Sequence, residues 1–552
     1  MTGLLAFMQA QPILVFFLVV SLGYLVGRIA IGGISLGAAG GVLLVGLFFG
    51  HYGLTMYPEI QTLGFAIFIF CVGYQAGPQF FDVLLTSGLK YLSLAVVIAA
   101  TGMTLAVVLS NALAFDPGIS AGLLGGALTT TPTLAAAQDA VRSGIVEAPA
   151  GFTEDQVLTN IGAGYALTYL FGLIGLILTI RVLPRVLSVD LPAEARRMEA
   201  AAGGTDELDL SNVSRRTYRV TREDLLQTTV AEYERRVPGS LAIIGIRRDG
   251  ELVDLDFDTR LQLNDEVLIV GQTDFLIRES AQLGEEIADD EGLRVPMEVM
   301  QVVVSNPAAM HTPLRDLRPA DKILALPIQV RRQRSKLPLS LDLVLHRGDV
   351  ITFYGPRLAI DRLAKQVGHV EQDVVDTDLF TFGLGIAGGI ALGTLAITVG
   401  GISLGLGMAG GLLVTGLLIG FLRSIYPVFG RVPSASRWVL MELGLMMFMA
   451  GVGLNAGGGI VEIIKDAGPQ LIGAGMVVTL IPIFVGYAFS TKILRLNPVE
   501  ALGGVTGAMT SGAALSVVCD AAESNVPALG YTGAYAFANV ILTLAGTIIM
   551  LL

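Results

Sequence analysis

The sequence predicts a polytopic α-helical membrane protein with two inverted structural repeats and a soluble α+β insert between them. The 552 residues are 53% hydrophobic and only 15% charged, with a mean hydropathy of +0.69, whereas soluble domains carry about 25% charged residues. Many apolar runs approach the roughly 20 residues that cross a bilayer. These runs fall into two groups, and the two groups share motifs in the same order.

Each group contains six apolar elements. They cover residues 12–28, 32–50, 60–77, 90–114, 119–141 and 158–182 in the first group, and 379–399, 401–421, 437–456, 467–490, 499–520 and 531–552 in the second. A polar stretch from Asp190 to Asp378 separates them. We therefore predict four domains: a first membrane repeat (1–185), two cytoplasmic modules (186–290, with a linker, and 291–376) and a second membrane repeat (377–552).

The repeats are visible in the sequence itself. Matching segments are Gly32–Gly37 with Gly400–Gly405, Leu63–Phe68 with Leu443–Phe448, Gly73–Gly77 with Gly453–Gly457, Gly126–Leu134 with Gly507–Leu515, and Gly162–Tyr165 with Thr532–Tyr535. Matches that recur in the same order indicate duplication, and internal repeats are typical of secondary-transporter folds.

Charges beside the apolar elements indicate how the repeats are oriented. Cationic residues favour the cytoplasmic side of a membrane, which places Arg28 and Lys90 inside, while Asp116 and Glu147 fall outside. This arrangement works only if the fifth element enters and leaves on one face. A re-entrant hairpin there gives each half about five spanning helices plus the hairpin, and makes the repeats inverted.

The polar insert contains short β-like runs between polar turns. These runs are Val237–Arg247, Glu266–Gly271, Lys322–Val330 and Asp349–Gly355. Leu263–Val267 and His346–Val350 occupy the same place before the last strand of each set. Two copies of a small α+β module fit this pattern.

The fifth element of each half is the best candidate for a binding site. In Thr129–Thr133 the proline removes a backbone donor, yet proline is favoured at the start of a helix and threonine before it as a cap. We therefore predict that Thr131 caps a second half-helix, that Pro132 begins it, and that Gly512 supplies the equivalent break in Thr510–Gly512. Two breaks at equivalent positions indicate a midplane binding site; the alternative is a pair of kinks packed by small residues.

Half-helix N-termini present unpaired N–H groups and a positive dipole end. Because the centres of the apolar elements carry almost no lysine or arginine, these donors and nearby hydroxyls would hold a small carboxylate without a buried cation. The predicted substrate-binding residues of the two breaks are Thr129, Thr130, Thr131, Pro132, Thr133, Thr510, Ser511 and Gly512.

Two further pairs of polar residues occupy matching positions in the repeats. Gln75 and Asn455 either hydrogen-bond the substrate or cross-link helices. Asp139 and Asp520 are candidates for ion or proton coupling, because acids inside a membrane are functional candidates by default. The alternative for both acids is a place at the wet end of the hairpin, where a charge costs little.

Other functional classes have little support in the sequence. No Walker A motif is present, the four histidines are scattered, and Cys71 and Cys519 are too few for a disulfide framework. We therefore expect no catalytic residues, metal or cofactor, and no nucleic-acid partner for a chain of net charge −12. The rival to a transporter is an ion channel or ion translocator gated by the insert.

With these features in hand, the chain resembles the aspartate–alanine exchanger family of bacterial transporters over essentially its full length. The glycine-rich repeats at 32–50 and 400–420, the elements Gly126–Leu134 and Gly507–Leu515, and the insert carry this resemblance. The insert is similar to two copies of the C-terminal ligand-sensing module of RCK potassium-transport regulators.

The resemblance implies exchange or export of small dicarboxylates and acidic amino acids, such as aspartate, glutamate or succinate, sometimes against alanine. It implies that Thr129–Thr133 and Thr510–Gly512 line the substrate site. It also implies a homodimer in the bacterial inner membrane, an elevator-type movement, and a cytoplasmic ligand of unknown identity at the insert.

Overall fold

The computed structural model describes residues 2–31, 34–85, 88–201, 213–222, 225–226, 228–230, 232–233, 241–253, 258–272, 284–287, 297–317, 325–332, 335–340, 342–371, 377–399, 402–426 and 429–552. The chain forms two compact units, Met1–Ala195 with Val374–Leu552 and Arg196–Asp373. Parts of several predicted features lie outside the described residues, namely 32–33 and 400–401 of the glycine motifs, 237–240 and 322–324 of the strands, and the module boundary at 290/291.

The described residues of the first membrane half form helices and one pair of short antiparallel strands. Its helices are α1 (Thr2–Gln9), α2 (Pro12–Gly27), α3 (Gly37–His51), α4 (Pro58–Leu85), α5 (Gly88–Ala112), α6 (Ile119–Ala127), α7 (Thr131–Arg142), α8 (Glu154–Val186) and α9 (Leu191–Ala201), with strands β1 (Ala30–Ile31) and β2 (Ile34–Ser35) between α2 and α3. Local sequence sets several boundaries. Pro12 begins α2, and Thr153 and Gln156 exchange hydrogen bonds in a capping box that begins α8.

The central unit contains two antiparallel sheets. The first has strands β3 (Val213–Val220), β4 (Leu241–Arg248), β5 (Glu251–Leu252), β6 (Glu266–Gln272) and β7 (Gly284–Ile287) in the order β5-β4-β6-β3-β7. The second has β8 (Met297–Val304), β9 (Leu326–Arg332), β10 (Ser335–Leu337), β11 (Val350–Pro356) and β12 (Gly368–Val370) in the order β10-β9-β11-β8-β12, with helix α10 (Arg357–Val367) before β12. The described strands confirm a β-rich insert, and the two sheets share one strand order.

The second membrane half repeats the element order of the first. It consists of α11 (Leu379–Gly393), β13 (Ala396–Val399), β14 (Ile402–Gly405), α12 (Gly407–Ile425), α13 (Ser434–Gly457), α14 (Ile460–Ala488), α15 (Pro498–Ala508), α16 (Gly512–Ala522) and α17 (Pro527–Leu551). The first described residues of the predicted apolar elements at 32–50 and 401–421 are not helical. They form strands β2 and β14, and the helices begin only at Gly37 and Gly407, because β-branched isoleucine suits a strand better than a helix.

Seven of the described helices are long and apolar enough to cross a membrane, judged by length and composition alone. They are Pro58–Pro78, Leu89–Ala112, Glu154–Val186, Gly407–Ile425, Ala435–Gly457, Ile460–Ile493 and Pro527–Leu551. Helices α2, α3 and α11 are apolar but shorter. The fifth element of each half is two short helices rather than one span.

Helices of the membrane unit pack in two groups. One group, which we call the panel, contains α2–α4 and α11–α13; the other, which we call the core, contains α5–α8 and α14–α17. The halves interlock in the panel, since α4 packs on α12 and α3 packs on α13. Glycine permits this closeness: a Cβ added to Gly50 would lie 2.2 Å from the Leu454 carbonyl oxygen, and a Cβ added to Gly420 would lie 2.2 Å from the Tyr74 carbonyl oxygen.

Candidate functional site

Both broken helix pairs have the same backbone geometry at the break. Thr129, with φ of 54°, follows the C-cap of α6, and Thr510, with φ of 55°, follows the C-cap of α15. The following residues are extended caps, Thr130 with φ −105° and ψ 101° and Ser511 with φ −102° and ψ 96°. Threonine is β-branched and rarely adopts positive φ, and strained backbone of this kind tends to cluster at functional sites.

The predicted caps are one residue off. Thr130 rather than Thr131 is the N-cap of α7, and Pro132 occupies the second helical position because the helix already begins at Thr131. In the second repeat Ser511 caps α16 by accepting a hydrogen bond from the N–H of Ala514 at 3.3 Å. Gly512 does not supply the break, since the left-handed residue is Thr510.

The two breaks contact each other directly. The Thr129 hydroxyl donates to the Met509 carbonyl oxygen at 3.0 Å, and Thr129, Thr130 and Ser511 are all buried. The Thr133 hydroxyl donates to the Leu542 carbonyl at 2.7 Å, which holds α7 against α17. The structure therefore brings together the two groups of residues predicted to form one site.

A tyrosine hydroxyl lies beside the first residue of each second half-helix. The Tyr165 hydroxyl is 3.1 Å from the Thr131 hydroxyl, and an added Cβ at Gly512 would lie 3.7 Å from the Tyr531 hydroxyl. Each tyrosine stacks on another one turn further along its helix. The ring centroids are 5.3 Å apart for Tyr165 and Tyr169, and 5.2 Å apart for Tyr531 and Tyr535.

This geometry corrects the last predicted repeat match by one helical turn. A Cβ added to Gly126 would lie 2.5 Å from the backbone carbonyl oxygen of Tyr165, and a Cβ added to the equivalent Gly507 would lie 2.4 Å from the backbone carbonyl oxygen of Tyr531. Tyr165 is therefore equivalent to Tyr531 and not to Tyr535. A match shifted by four residues keeps the same face of a helix, so the sequence alone does not distinguish the two registers.

Asn455 belongs to a polar cluster around Gln61 of α4. Gln61 is 1% exposed, and its amide oxygen accepts from Asn455 Nδ2 at 3.1 Å and from Arg142 Nη2 at 3.0 Å. Its Nε2 atom donates to Gln138 Oε1 at 3.2 Å. Gln75 lies 14 residues further along the same helix, about 21 Å away, so the structure does not bring Gln75 and Asn455 together.

A cavity of about 470 Å³ borders this cluster. Its lining includes Arg142 and Asp139 of α7 together with Thr62, Ser143 and Thr394. The Asp139 carboxylate is turned toward α12, where Oδ2 accepts from the Ala409 N–H at 2.8 Å. Arg142 thus lines a cavity of the size that small ligands occupy, and its guanidinium donates to a neutral amide.

Asp520 has a different environment from its repeat counterpart. Asp139 is only 6% exposed, whereas Asp520 is exposed on α16. Sequence reasoning missed Gln61, Arg142, Tyr165 and Tyr531. Only Tyr165 gave a signal, as part of the last repeat match, and that match indicated duplication rather than a binding site.

Two homologous membrane halves, each with a broken helix pair that meets the other, define a permease-type membrane protein. The model of the family Asp-Al_Ex, described as Predicted Permease Membrane Region, matches residues 15–185 and again residues 381–551. These matches cover more than half of the chain, which therefore belongs to the aspartate–alanine exchanger family. They also confirm the duplication. No solved structure matches the chain.

Proposed function

We propose that the protein is a secondary transporter that exchanges or exports small dicarboxylates and acidic amino acids, such as aspartate, glutamate or succinate, by alternating access. The observation that carries this proposal is the meeting of two broken helix pairs through Thr129 and Met509. Helix N-termini leave peptide N–H groups without intrahelical partners and attract anions. Two such termini beside threonine, serine and tyrosine hydroxyls can hold a carboxylate.

The cavity at Arg142 supports an anionic substrate. Arg142 lies 11 residues along α7 from Thr131, about 16 Å from the break. We assign to it the capture of a substrate carboxylate before the substrate reaches the paired breaks. A guanidinium suits this role because its planar fork matches a carboxylate.

The remaining features of the proposal follow from the two halves and the insert. The panel and core supply two groups of helices that can move past each other, which fits inverted repeats and an elevator-type movement. We further propose a homodimer in the bacterial inner membrane, with RCK-like modules in the cytoplasm that bind a regulatory ligand. Ion or proton coupling through Asp139 and Asp520 stays a prediction.

Counterflow into liposomes tests the transport proposal. Purified protein is reconstituted with unlabelled aspartate, succinate, alanine or no solute inside, and uptake of labelled aspartate is followed. We expect uptake that requires internal substrate. Uptake into empty liposomes driven by an ion gradient would replace exchange with coupled symport, whereas fast ion currents without solute flux would support the gated channel.

Removing the hydroxyl at the first residue of α7 should weaken transport. Thr131→Val keeps the shape of the side chain and loses the contact with Tyr165, and Pro132→Ala changes the start of the same half-helix. We expect roughly three- to tenfold slower exchange in Thr131→Val, the effect of one hydrogen bond of about 1 kcal/mol, and slower exchange in Pro132→Ala because the backbone at the break is less constrained. Expression and thermal stability should stay close to wild type.

The matched control is Thr101→Val. Thr101 is a half-buried threonine of α5, and its hydroxyl donates to the carbonyl of Val97, one turn back in the same helix. Exchange by this control should be unchanged. Wild-type exchange rates in both Thr131→Val and Pro132→Ala would refute the assignment of the site to the breaks.

A further inference from the structure

The two helices that follow the β-hairpins begin with the same unusual pair of backbone conformations. Leu406 has φ −71° and ψ −21° and is followed by Gly407 with φ of +64°. Leu36 has φ −70° and ψ −17° and is followed by Gly37 with φ of +72°. A right-handed residue followed by a left-handed one directs successive N–H groups into a concavity, called a nest, that binds anions.

The pair recurs although the hairpins before it differ in length. Strands β1 and β2 have two residues each, and β13 and β14 have four each. We refer to Leu36–Ala39 as the first nest and to Leu406–Ala409 as the second nest. Their common geometry is thus not a by-product of identical hairpins.

The second nest holds a carboxylate. Asp139 Oδ2 accepts from the Ala409 N–H at 2.8 Å, and a Cβ added to Gly407 would lie 2.6 Å from the same oxygen. Gly407 is buried. Helix α7, which carries Asp139, is buried from Pro132 to Val141 and packs against α12.

The first nest differs from the second, and α16, the helix equivalent to α7, differs from α7, in occupancy, burial and packing. Gly37 is exposed, and a Cβ added there would meet no atom within 4 Å. Asp520, the counterpart of Asp139, is exposed on α16, as are Gly512 and Ser516. Among the described residues, α16 makes no packing on α3 comparable to that of α7 on α12. The two repeats thus share a sequence pattern and a backbone but are in different conformational states.

We propose that Asp139 and Asp520 are positioning residues that occupy their nests alternately. In the state seen here, Asp139 is bound in the second nest and holds the core against α12. In the opposite state, Asp520 is bound in the first nest, and Asp139 has left the second. Each carboxylate stabilises one end state through charge-assisted hydrogen bonds to backbone N–H groups. Each end state therefore has one occupied nest, and the two states differ little in this contribution to their free energy. This inference rests on the proposed alternating access.

The two glycines provide a matched test. Gly37→Ala and Gly407→Ala place the same methyl group at the same left-handed backbone, so both incur the same backbone strain. Gly407→Ala displaces Asp139 and should depopulate the present state. In Gly37→Ala the added methyl group contacts no atom in the present state, but it would block the binding of Asp520 to the first nest. This variant should therefore stay in the present state. Asp139→Ala is a second variant that removes the contact of the second nest without backbone strain.

Cysteine accessibility reports which state is populated. In a background with Cys71→Ala and Cys519→Ala, Ser516→Cys and Ala135→Cys mark equivalent positions on α16 and α7, one exposed and one buried. In vesicles without substrate, a thiol-reactive maleimide should label position 516 faster than position 135. Gly407→Ala and Asp139→Ala should raise labelling at 135 and lower it at 516, each by roughly tenfold, the population change that follows loss of one charge-assisted hydrogen bond. Gly37→Ala should lower labelling at 135, and all three variants should slow exchange.

Reciprocal labelling changes support the alternating nests. Labelling and exchange in Gly37→Ala that match the parent would overturn the proposal, because an exposed nest with no role tolerates the methyl group. Labelling that rises at both positions in Gly407→Ala and Asp139→Ala would also overturn it, since that pattern indicates a purely structural contact. Because labelling needs no substrate, reciprocal shifts without carboxylate flux would refute only the proposed cargo.

Discussion

Replacing Arg142 with glutamine is expected to raise the KM for aspartate and succinate by roughly 10- to 100-fold, with the maximal rate within a few-fold of wild type. Arg142 lines the 470 Å³ cavity, and its guanidinium donates to the Gln61 amide oxygen at 3.0 Å. A hydrogen bond to a charged group contributes about 1.5–3 kcal/mol, which is roughly one to two factors of ten in affinity. Arg142 is assigned to capture, so its loss should act on KM.

Two substitutions separate charge from geometry. Arg142→Lys keeps the positive charge but loses the planar fork, and an intermediate KM is expected. Arg28→Gln removes a cation whose guanidinium bonds the Tyr24 hydroxyl at 2.8 Å on α2, and this control should leave the KM unchanged. The KM and the maximal rate are obtained from rates of labelled aspartate counterflow over a range of external concentrations. An unaltered KM in Arg142→Gln would remove Arg142 from the transport pathway.

Much of the membrane architecture was predictable because duplication leaves the same local signals twice. A proline or glycine within an apolar run, at matching places in both halves, was enough to predict two broken elements. The exact break was not predictable. Thr129 and Thr510 adopt positive φ, a conformation that threonine disfavours, and the contact of Thr129 with Met509 belongs to the tertiary structure.

The polar cluster lay beyond sequence reasoning for a different reason. Gln61 bonds to Gln138 and Arg142, 77 and 81 residues away, and to Asn455, 394 residues away. Gln138 and Arg142 match Cys519 and Glu523 in the second repeat, so the cluster has no symmetric copy. Repeat matching therefore drew attention to Gln75 and Asn455 as a pair, whereas the tertiary structure pairs Asn455 with Gln61.

A buried ion pair between Arg332 and Asp349 stabilises the second sheet of the insert. Replacing Asp349 with alanine is expected to destabilise this sheet by about 3–5 kcal/mol, because the Arg332 charge would stay buried without its partner. Both Asp349 oxygens accept from Arg332, at 2.8 and 2.7 Å, and the two side chains are only 8% and 0% exposed. The same carboxylate accepts from the His346 N–H at 2.9 Å, so the turn before β11 loses its anchor as well.

The first sheet contains the matched control. Arg248 and Asp265 form the same fork at 2.8 and 2.9 Å, and Asp265 accepts from the Gln262 N–H at 2.7 Å. The side chain of Arg248 is 27% exposed, so water can solvate it once Asp265 is removed. Asp265→Ala should therefore destabilise its sheet clearly less than Asp349→Ala destabilises the second.

Hydrogen exchange of the full chain measures the two sheets separately, which a single melting temperature of a protein with two units does not. In Asp349→Ala, amides of β9 and β11 should exchange roughly 10²- to 5 × 10³-fold faster, the ratio that corresponds to 3–5 kcal/mol. Amides of β4 and β6 should be unaffected. Arg332→Met combined with Asp349→Leu should restore most of the protection, because apolar replacement of a buried ion pair is often neutral. Two results would mean that burial of the charge is not the source of the effect. One is that Asp265→Ala lowers protection of the first sheet as much as Asp349→Ala lowers protection of the second. The other is that the double variant does not restore protection.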